Sequence, residues 1–265
     1  MPIYEKPTKV LMTEWAKQHL SPGKTFGRAE PVGWFAEHYP KLKATTVRIH
    51  VDGMSVNNIT RRHYPNVKRG SGHDLFFKLG PDLFRLWAPE TDPPPRYKED
   101  IEAQTPSQLE GSIAEDEAEE EEHNDLAGAR EFAFEKDLQN YLVKNLNLVE
   151  PGLRLYEDEG ITGVGFSVGG RFIDILAIDP EGRLVVIELK VSRGYDRTVG
   201  QILRYMGWVE QNLEPSKRAR GIIVAKEITN DLRLACSRIP DVKLIEYEIS
   251  FSLHQVNLSA TKPLL

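Results

Sequence analysis

Apolar residues recur along this 265-residue chain at two periods, helical in some stretches and strand-like in others. In the amino-terminal segment the helical period comes first. Val10, Leu11, Trp15 and Leu20 predict one amphipathic helix, and Val32, Trp34, Phe35 and His38 a second that ends near Pro40. A third is expected after Ala44, with Thr45 or Thr46 as its cap and Val47, Ile49, His50, Val51 and Met54 along it. Residues 74–79 and 82–87 then read as two short strands joined at Gly80-Pro81.

The carboxy-terminal half has its own pattern. Phe134, Leu138, Leu142 and Leu146, with Tyr141 on the same side, predict an amphipathic helix over 130–146. Residues 170–179 form a strand closed by the turn Pro180-Glu181-Gly182, and 183–190 return. Both strands are apolar on both faces, as strands in the middle of a sheet are. Residues 220–225 predict a third core strand, 231–238 a short helix and 242–247 a further strand. This order predicts an α/β domain, a mixed sheet with helices on its faces. Cys236, the single cysteine, is expected as a buried filler beside Leu234.

Charge divides the chain more sharply than hydropathy does. Residues 1–98 carry 16 Lys/Arg against nine Asp/Glu, a net +7, whereas 99–125 carry 12 acids and no Lys/Arg. The remainder is close to neutral, so the overall charge of −6 comes from one short stretch. That stretch follows Pro93-Pro94-Pro95 and includes the run from Glu115 to Glu122. Dense like charge with little apolar surface cannot offset the entropy of ordering, so 99–128 is expected to be a disordered linker. Two uses suit it: a solvated tether, the ordinary outcome, or a DNA mimic that covers a basic surface. Domains are therefore expected at 1–98 and 129–265. With one cysteine, neither an internal disulfide nor a cysteine-based zinc site is expected. No secretory start or membrane-length apolar run is visible, which points to the cytoplasm.

Asp174, Glu188 and Lys190 interrupt the buried strands. Residues two apart on a strand share a face, so Glu188 and Lys190 point the same way, and Asp174 reaches them from the neighbouring strand. Burying an ion without a partner costs several kcal/mol, so such groups are paired or metal-bound. Two carboxylates and a lysine suit a hard, oxygen-preferring cation such as magnesium.

Ile173-Asp174 followed by Glu188-Leu189-Lys190 resembles the PD-(D/E)XK nuclease motif, without the proline before the aspartate. More narrowly it resembles the carboxy-terminal domain of NucS-type, RecB-like endonucleases. Glu135 in Phe134-Glu135-Lys136 and Gln201-Ile202-Leu203-Arg204-Tyr205 extend the likeness, which spans roughly 130–256. The resemblance implies a restriction-endonuclease-like fold and a magnesium-dependent DNA endonuclease, with manganese as a substitute cation. Asp174, Glu188, the backbone carbonyl of Leu189 and Glu135 would hold the metal. Lys190 would orient the attacking water, its charge partly suppressed beside the ion, and Gln201 and Tyr205 would frame the site.

The amino-terminal order, three helices and a hairpin, resembles winged-helix modules attached to restriction-type nucleases. Arg48 on the third helix and Arg61, Arg62, Lys68 and Arg69 before the hairpin would contact DNA phosphates. Arg193 and Arg197 would do so beside the nuclease centre. Cutting two strands requires two centres, so a homodimer is expected. Restriction or phage defence is the expected role. The alternatives are mismatch or branched-DNA repair, a non-cleaving DNA-binding protein on a retired nuclease fold, and cleavage of RNA.

Overall fold

The computed structural model describes residues 3–58, 60–61, 64, 66–98, 100, 125–168, 171–190, 195–213 and 216–250. The amino-terminal unit runs α1 (Thr8–His19), β1 (Thr25–Phe26), α2 (Ala29–His38), α3 (Ala44–Gly53), β2 (Phe76–Gly80) and β3 (Leu83–Leu86). The expected hairpin forms, and β1 extends it to an antiparallel sheet of order β1-β3-β2. Two residues are too few to display an alternation, so β1 left no trace in the pattern. Trp15, Phe26, Phe35, Phe76 and Phe84 fill the core between helices and sheet. The rings of Trp15 and Phe26 meet edge to face at 5.2 Å between centroids.

The larger unit runs α4 (Asp125–Lys144), α5 (Leu146–Val149), β4 (Arg154–Leu155), β5 (Glu157–Asp158), β6 (Ile161–Thr162), β7 (Val164–Val168), β8 (Arg171–Ile178), β9 (Leu184–Lys190), α6 (Tyr195–Asn212), β10 (Arg220–Ala225), α7 (Asn230–Cys236) and β11 (Val242–Glu246). Its main sheet has the order β11-β10-β9-β8-β4, with β7 also paired to β8. The β8–β9 pair is antiparallel, and β9–β10 and β10–β11 are parallel, which makes the sheet mixed. One face packs on α4 and α5 through Leu142, Leu146, Ile175, Ile187 and Leu189, and the other on α6 through Val186, Ile202, Tyr205 and Val209. Gly163 is required where the chain passes from β6 to β7. A Cβ there would lie 1.9 Å from the carbonyl oxygen of Leu176.

Several expectations need correction. The proposed linker 99–128 lies mostly outside the described residues, but α4 begins at Asp125, so its last four positions are helical. Phe134 and Tyr141 do not face the core: they are 59% and 57% exposed. The buried stripe of α4 instead carries Gln139 and Leu142, with Leu138 and Val143 partly buried. Cys236 is buried as expected, whereas Leu234 is exposed.

Thr45 and Thr46 do not cap α3, because the helix starts at Ala44. Their hydroxyls cross to the larger unit, Thr45 donating to the Asn212 carbonyl at 2.9 Å and Thr46 to the Asp158 carboxylate. His50 approaches the Glu159 carbonyl through Nε2 at 3.2 Å, and Ile49 joins the core around Tyr156 and Ile161. Of the ten residues of α3, Ala44 and Arg48 alone are exposed. The helix is therefore clasped between two cores, and no broad face of it is open.

The surface it grips is the tip of the β5–β6 hairpin. Glu159 and Gly160 both have positive φ, 46° and 85°, as a tight two-residue hairpin turn demands. A glutamate in that conformation is strained. Its carboxylate is fully used, accepting from the Thr8 hydroxyl at 2.8 Å and from the backbone N–H of Ile3. At the opposite end of the strands from Asp174, Arg220 joins Glu150 at 2.7 Å and the fully buried Asp179 at 3.0 Å.

Candidate active site

The pairing of β8 with β9 runs from Ile178↔Leu184 to Ile175↔Ile187 and then stops. Past that point the strands part, and Asp174 fills the gap. Its Oδ2 accepts from the Leu189 backbone N–H at 2.7 Å, a bond that a neighbouring strand would otherwise supply. Glu188 follows on β9 with 1% exposure, and its Oε1 lies 3.3 Å from Nζ of Lys190. Its other oxygen, Oε2, is buried and has no hydrogen-bond partner. A buried carboxylate oxygen without a donor is costly unless something else, such as a cation, is to occupy its lone pairs.

The electrostatics follow from this crowding. Burial raises Glu188 well above the ordinary carboxylate range, and the negative charge of Asp174 adds to the rise. Burial likewise raises Asp174, against the opposing effects of the Leu189 N–H, Lys190 and Lys136. For Lys190 burial works to lower the value, but the charges of Glu188, Asp174 and Glu135 outweigh it and raise it. Without a metal, the lysine is thus held cationic by its carboxylate neighbours.

The three expected central residues converge. Glu135, half-buried on α4, is near enough to act on both Glu188 and Lys190 by its charge. No cluster of three acidic, histidine or cysteine side chains with metal-binding geometry occurs among the described residues. Gln201 and Tyr205 lie on α6, where Nε2 of Gln201 donates to the Tyr205 hydroxyl at 3.3 Å and Tyr205 is 2% exposed.

The expected phosphate contacts fare unevenly. Arg61 is 1% exposed and pairs with Asp74 at 2.6 Å while donating to the carbonyls of Gly53 and Val56. It is a structural cation that no phosphate can reach. Arg48 and Lys68 are exposed, and so is Arg69, which pairs with Asp100 at 2.5 Å over the Tyr97 ring. Arg197 is exposed on α6. Arg62 and Arg193 lie outside the described residues.

One residue of the site went unforeseen. Gln139 is 6% exposed on the sheet-facing side of α4, and its Nε2 donates to the backbone carbonyl of Asp174 at 2.6 Å. Its signal was present: a polar residue between Leu138 and Leu142, inside the apolar stripe.

Residues 134–248 match the family model described as "Endonuclease NucS C-terminal domain". The carboxy-terminal unit is a NucS-like domain. Residues 7–86 match a separate model, "Domain of unknown function (DUF7669)". The NucS-like domain aligns with Endonuclease NucS of Methanopyrus kandleri, 31% identical over 102 residues, covering 38% of this chain and 36% of the relative. Endonuclease NucS of Bifidobacterium animalis subsp. lactis is 34% identical over 124 residues, covering 46% and 49%. The chain thus spans between about a third and a half of these relatives' length. A crystal structure of a repair endonuclease from Pyrococcus abyssi superimposes with a TM-score of 0.36 at 21% identity, covering 49% of this chain and 50% of that one. No described helix is long and apolar enough to cross a membrane.

Proposed function

We propose that the chain is a metal-dependent DNA endonuclease of the repair type. The single observation that carries this reading is the buried, donorless Oε2 of Glu188 beside Asp174 and Lys190. Asp174 and Glu188 would hold magnesium, with the Leu189 carbonyl as a further oxygen ligand and Glu135 joining directly or through water. Held there, the ion would supply Lewis acidity toward the scissile phosphate and lower the pKa of nearby water. Lys190, kept cationic by its carboxylate neighbours, offsets charge on the phosphoryl oxygens and orients the attacking water. Tyr205 and Gln201 fix the wall of the site on the α6 side.

Repair is favoured over the restriction role expected from the sequence because the relatives that align with the carboxy-terminal half are NucS endonucleases. In the amino-terminal unit, the element order and the sheet β1-β3-β2 suit a winged helix. DNA contact by this unit would run through Arg48, Lys68 and Arg69 and not through a groove-filling α3, whose faces are occupied. Two-strand cleavage would call for a homodimer.

The test is a cleavage assay with plasmid, mismatched duplex, branched duplex, single-stranded DNA and RNA, each with magnesium or EDTA. Wild type and Asp174→Ala are compared. Magnesium-dependent cutting of DNA, strongest on mismatched or branched duplex and lost in Asp174→Ala, is expected. Tight binding without cleavage would overturn the enzymatic reading. Cutting confined to unmodified plasmid would restore the restriction reading.

A further inference from the structure

Asp174 lies where the pairing of β8 with both of its neighbours is interrupted. Toward β9 the pairing ends at Ile175. Toward β7 the recorded pairs pass from Val164↔Ile175 to Phe166↔Ile173, with Gly165 between them in the left-handed region at φ 56°. The backbone carbonyl of Asp174 takes a donor from outside the sheet. The donor is the amide of Gln139, 2.6 Å from the Asp174 carbonyl oxygen. The other end of that amide is also fixed: Oε1 of Gln139 accepts from Nζ of Lys136 at 2.6 Å. An ammonium on Oε1 leaves the NH2 group aimed at β8, so Lys136 sets which way the amide points.

We propose that Gln139, oriented by Lys136, is a positioning residue that anchors the backbone of Asp174 from α4 and thereby sets the affinity of the site for a divalent cation. This rests on the reading of Asp174 and Glu188 as metal ligands. The chain Lys136–Gln139–Asp174 fixes the ligand from its backbone, while the Leu189 N–H fixes it from its carboxylate. Outer partners of metal ligands typically carry a 10- to 100-fold share of affinity, on the order of that found for ligand-orienting groups generally. Gln139 touches neither substrate nor metal, so it works through the placement of Asp174.

The experiment is calorimetric titration of Mn2+ into the full chain without DNA, paired with steady-state cleavage. Gln139→Met keeps side-chain length and removes the donor, and Gln139→Glu keeps the Lys136 contact but removes the donor. Both are expected to weaken Mn2+ binding about tenfold and to lower kcat while leaving KM for DNA unchanged. Lys136→Met, on a half-buried position and so suited to a folded control, should weaken Mn2+ binding by a smaller factor than the Gln139 variants. Wild-type Mn2+ affinity in folded Gln139 variants would overturn the role of Gln139. Should those variants fail to fold, unchanged affinity in Lys136→Met overturns it equally. No Mn2+ binding by wild type would instead overturn the metal-site reading and this inference with it.

Discussion

Glu188 is an expensive residue for the sheet that holds it. A carboxylate at 1% exposure, next to Asp174 and only partly offset by Lys190, disfavours its own ionised form. Glu188→Gln should therefore raise the melting temperature of the metal-free protein by a few degrees, about 1 kcal/mol for a chain of this size, while lowering cleavage at least about a hundredfold. A lower melting temperature would show that Glu188 stabilises the fold, and a scanning calorimeter decides it. Arg61 is the opposite case. Its guanidinium is fully enclosed and holds Asp74 and two backbone carbonyls, so Arg61→Ala should destabilise by about 3–5 kcal/mol, the cost of leaving a buried partner unpaired. The salt dependence of DNA binding should be unchanged in any folded arginine-61 variant, since no phosphate contact is lost. By contrast, Lys68→Ala should reduce that slope by about one. The sequence carried the chemistry of Asp174, Glu188 and Lys190, because charges inside apolar strands stand out. It did not separate Arg61 from Lys68: both are basic residues in one loop, and only the fold decides which of them Asp74 captures.

Among elements, α4 teaches most about what a pattern conveys. Its helical period is plain, but that period alone places Phe134 and Tyr141 inward, whereas both point outward. The true buried stripe is drawn by Leu138, Gln139, Leu142 and Val143, and a glutamine there reads as a defect until its bond to β8 is seen. Leu142→Ala, which opens a void between α4 and the sheet, should cost about 2–5 kcal/mol, whereas Phe134→Ala should change stability by less than about 0.5 kcal/mol. Chemical denaturation of the two variants checks this, and equal losses would contradict the assignment of faces. The strands β8 and β9 were legible from their continuous apolar runs. Their parting at Asp174, which makes room for the site, was not, since register is settled by partners distant in sequence.

The whole molecule depends on the seam between its two units. Helix count and hairpin pattern described the amino-terminal unit well, but nothing local announced that α3 would be enclosed, because Thr45, Thr46 and His50 look like ordinary polar helix residues. In the seam His50 meets the Glu159 carbonyl, with Asp158, Lys9 and His73 as its charged or titratable neighbours. Burial lowers His50 from 6.5 to about 4. Below its unfolded value the unfolded chain binds the proton more readily than the folded one. Stability from this residue is therefore complete above pH 6.5 and is lost as pH falls toward 4, by about 3 kcal/mol in all. His50→Gln keeps a donor for the Glu159 carbonyl and should flatten that acid limb in denaturation curves taken between these pH values. A slope identical to wild type would place the titration elsewhere.

The central claim is that Asp174 and Glu188, with Lys190 beside them, form one divalent-cation site at the point where β8 and β9 part. Anomalous diffraction from crystals soaked in Mn2+ tests it most directly. A peak bounded by the carboxylates of Asp174 and Glu188, absent in Asp174→Ala, is expected. A peak bound elsewhere, or none at these carboxylates with the cation in excess, would contradict it.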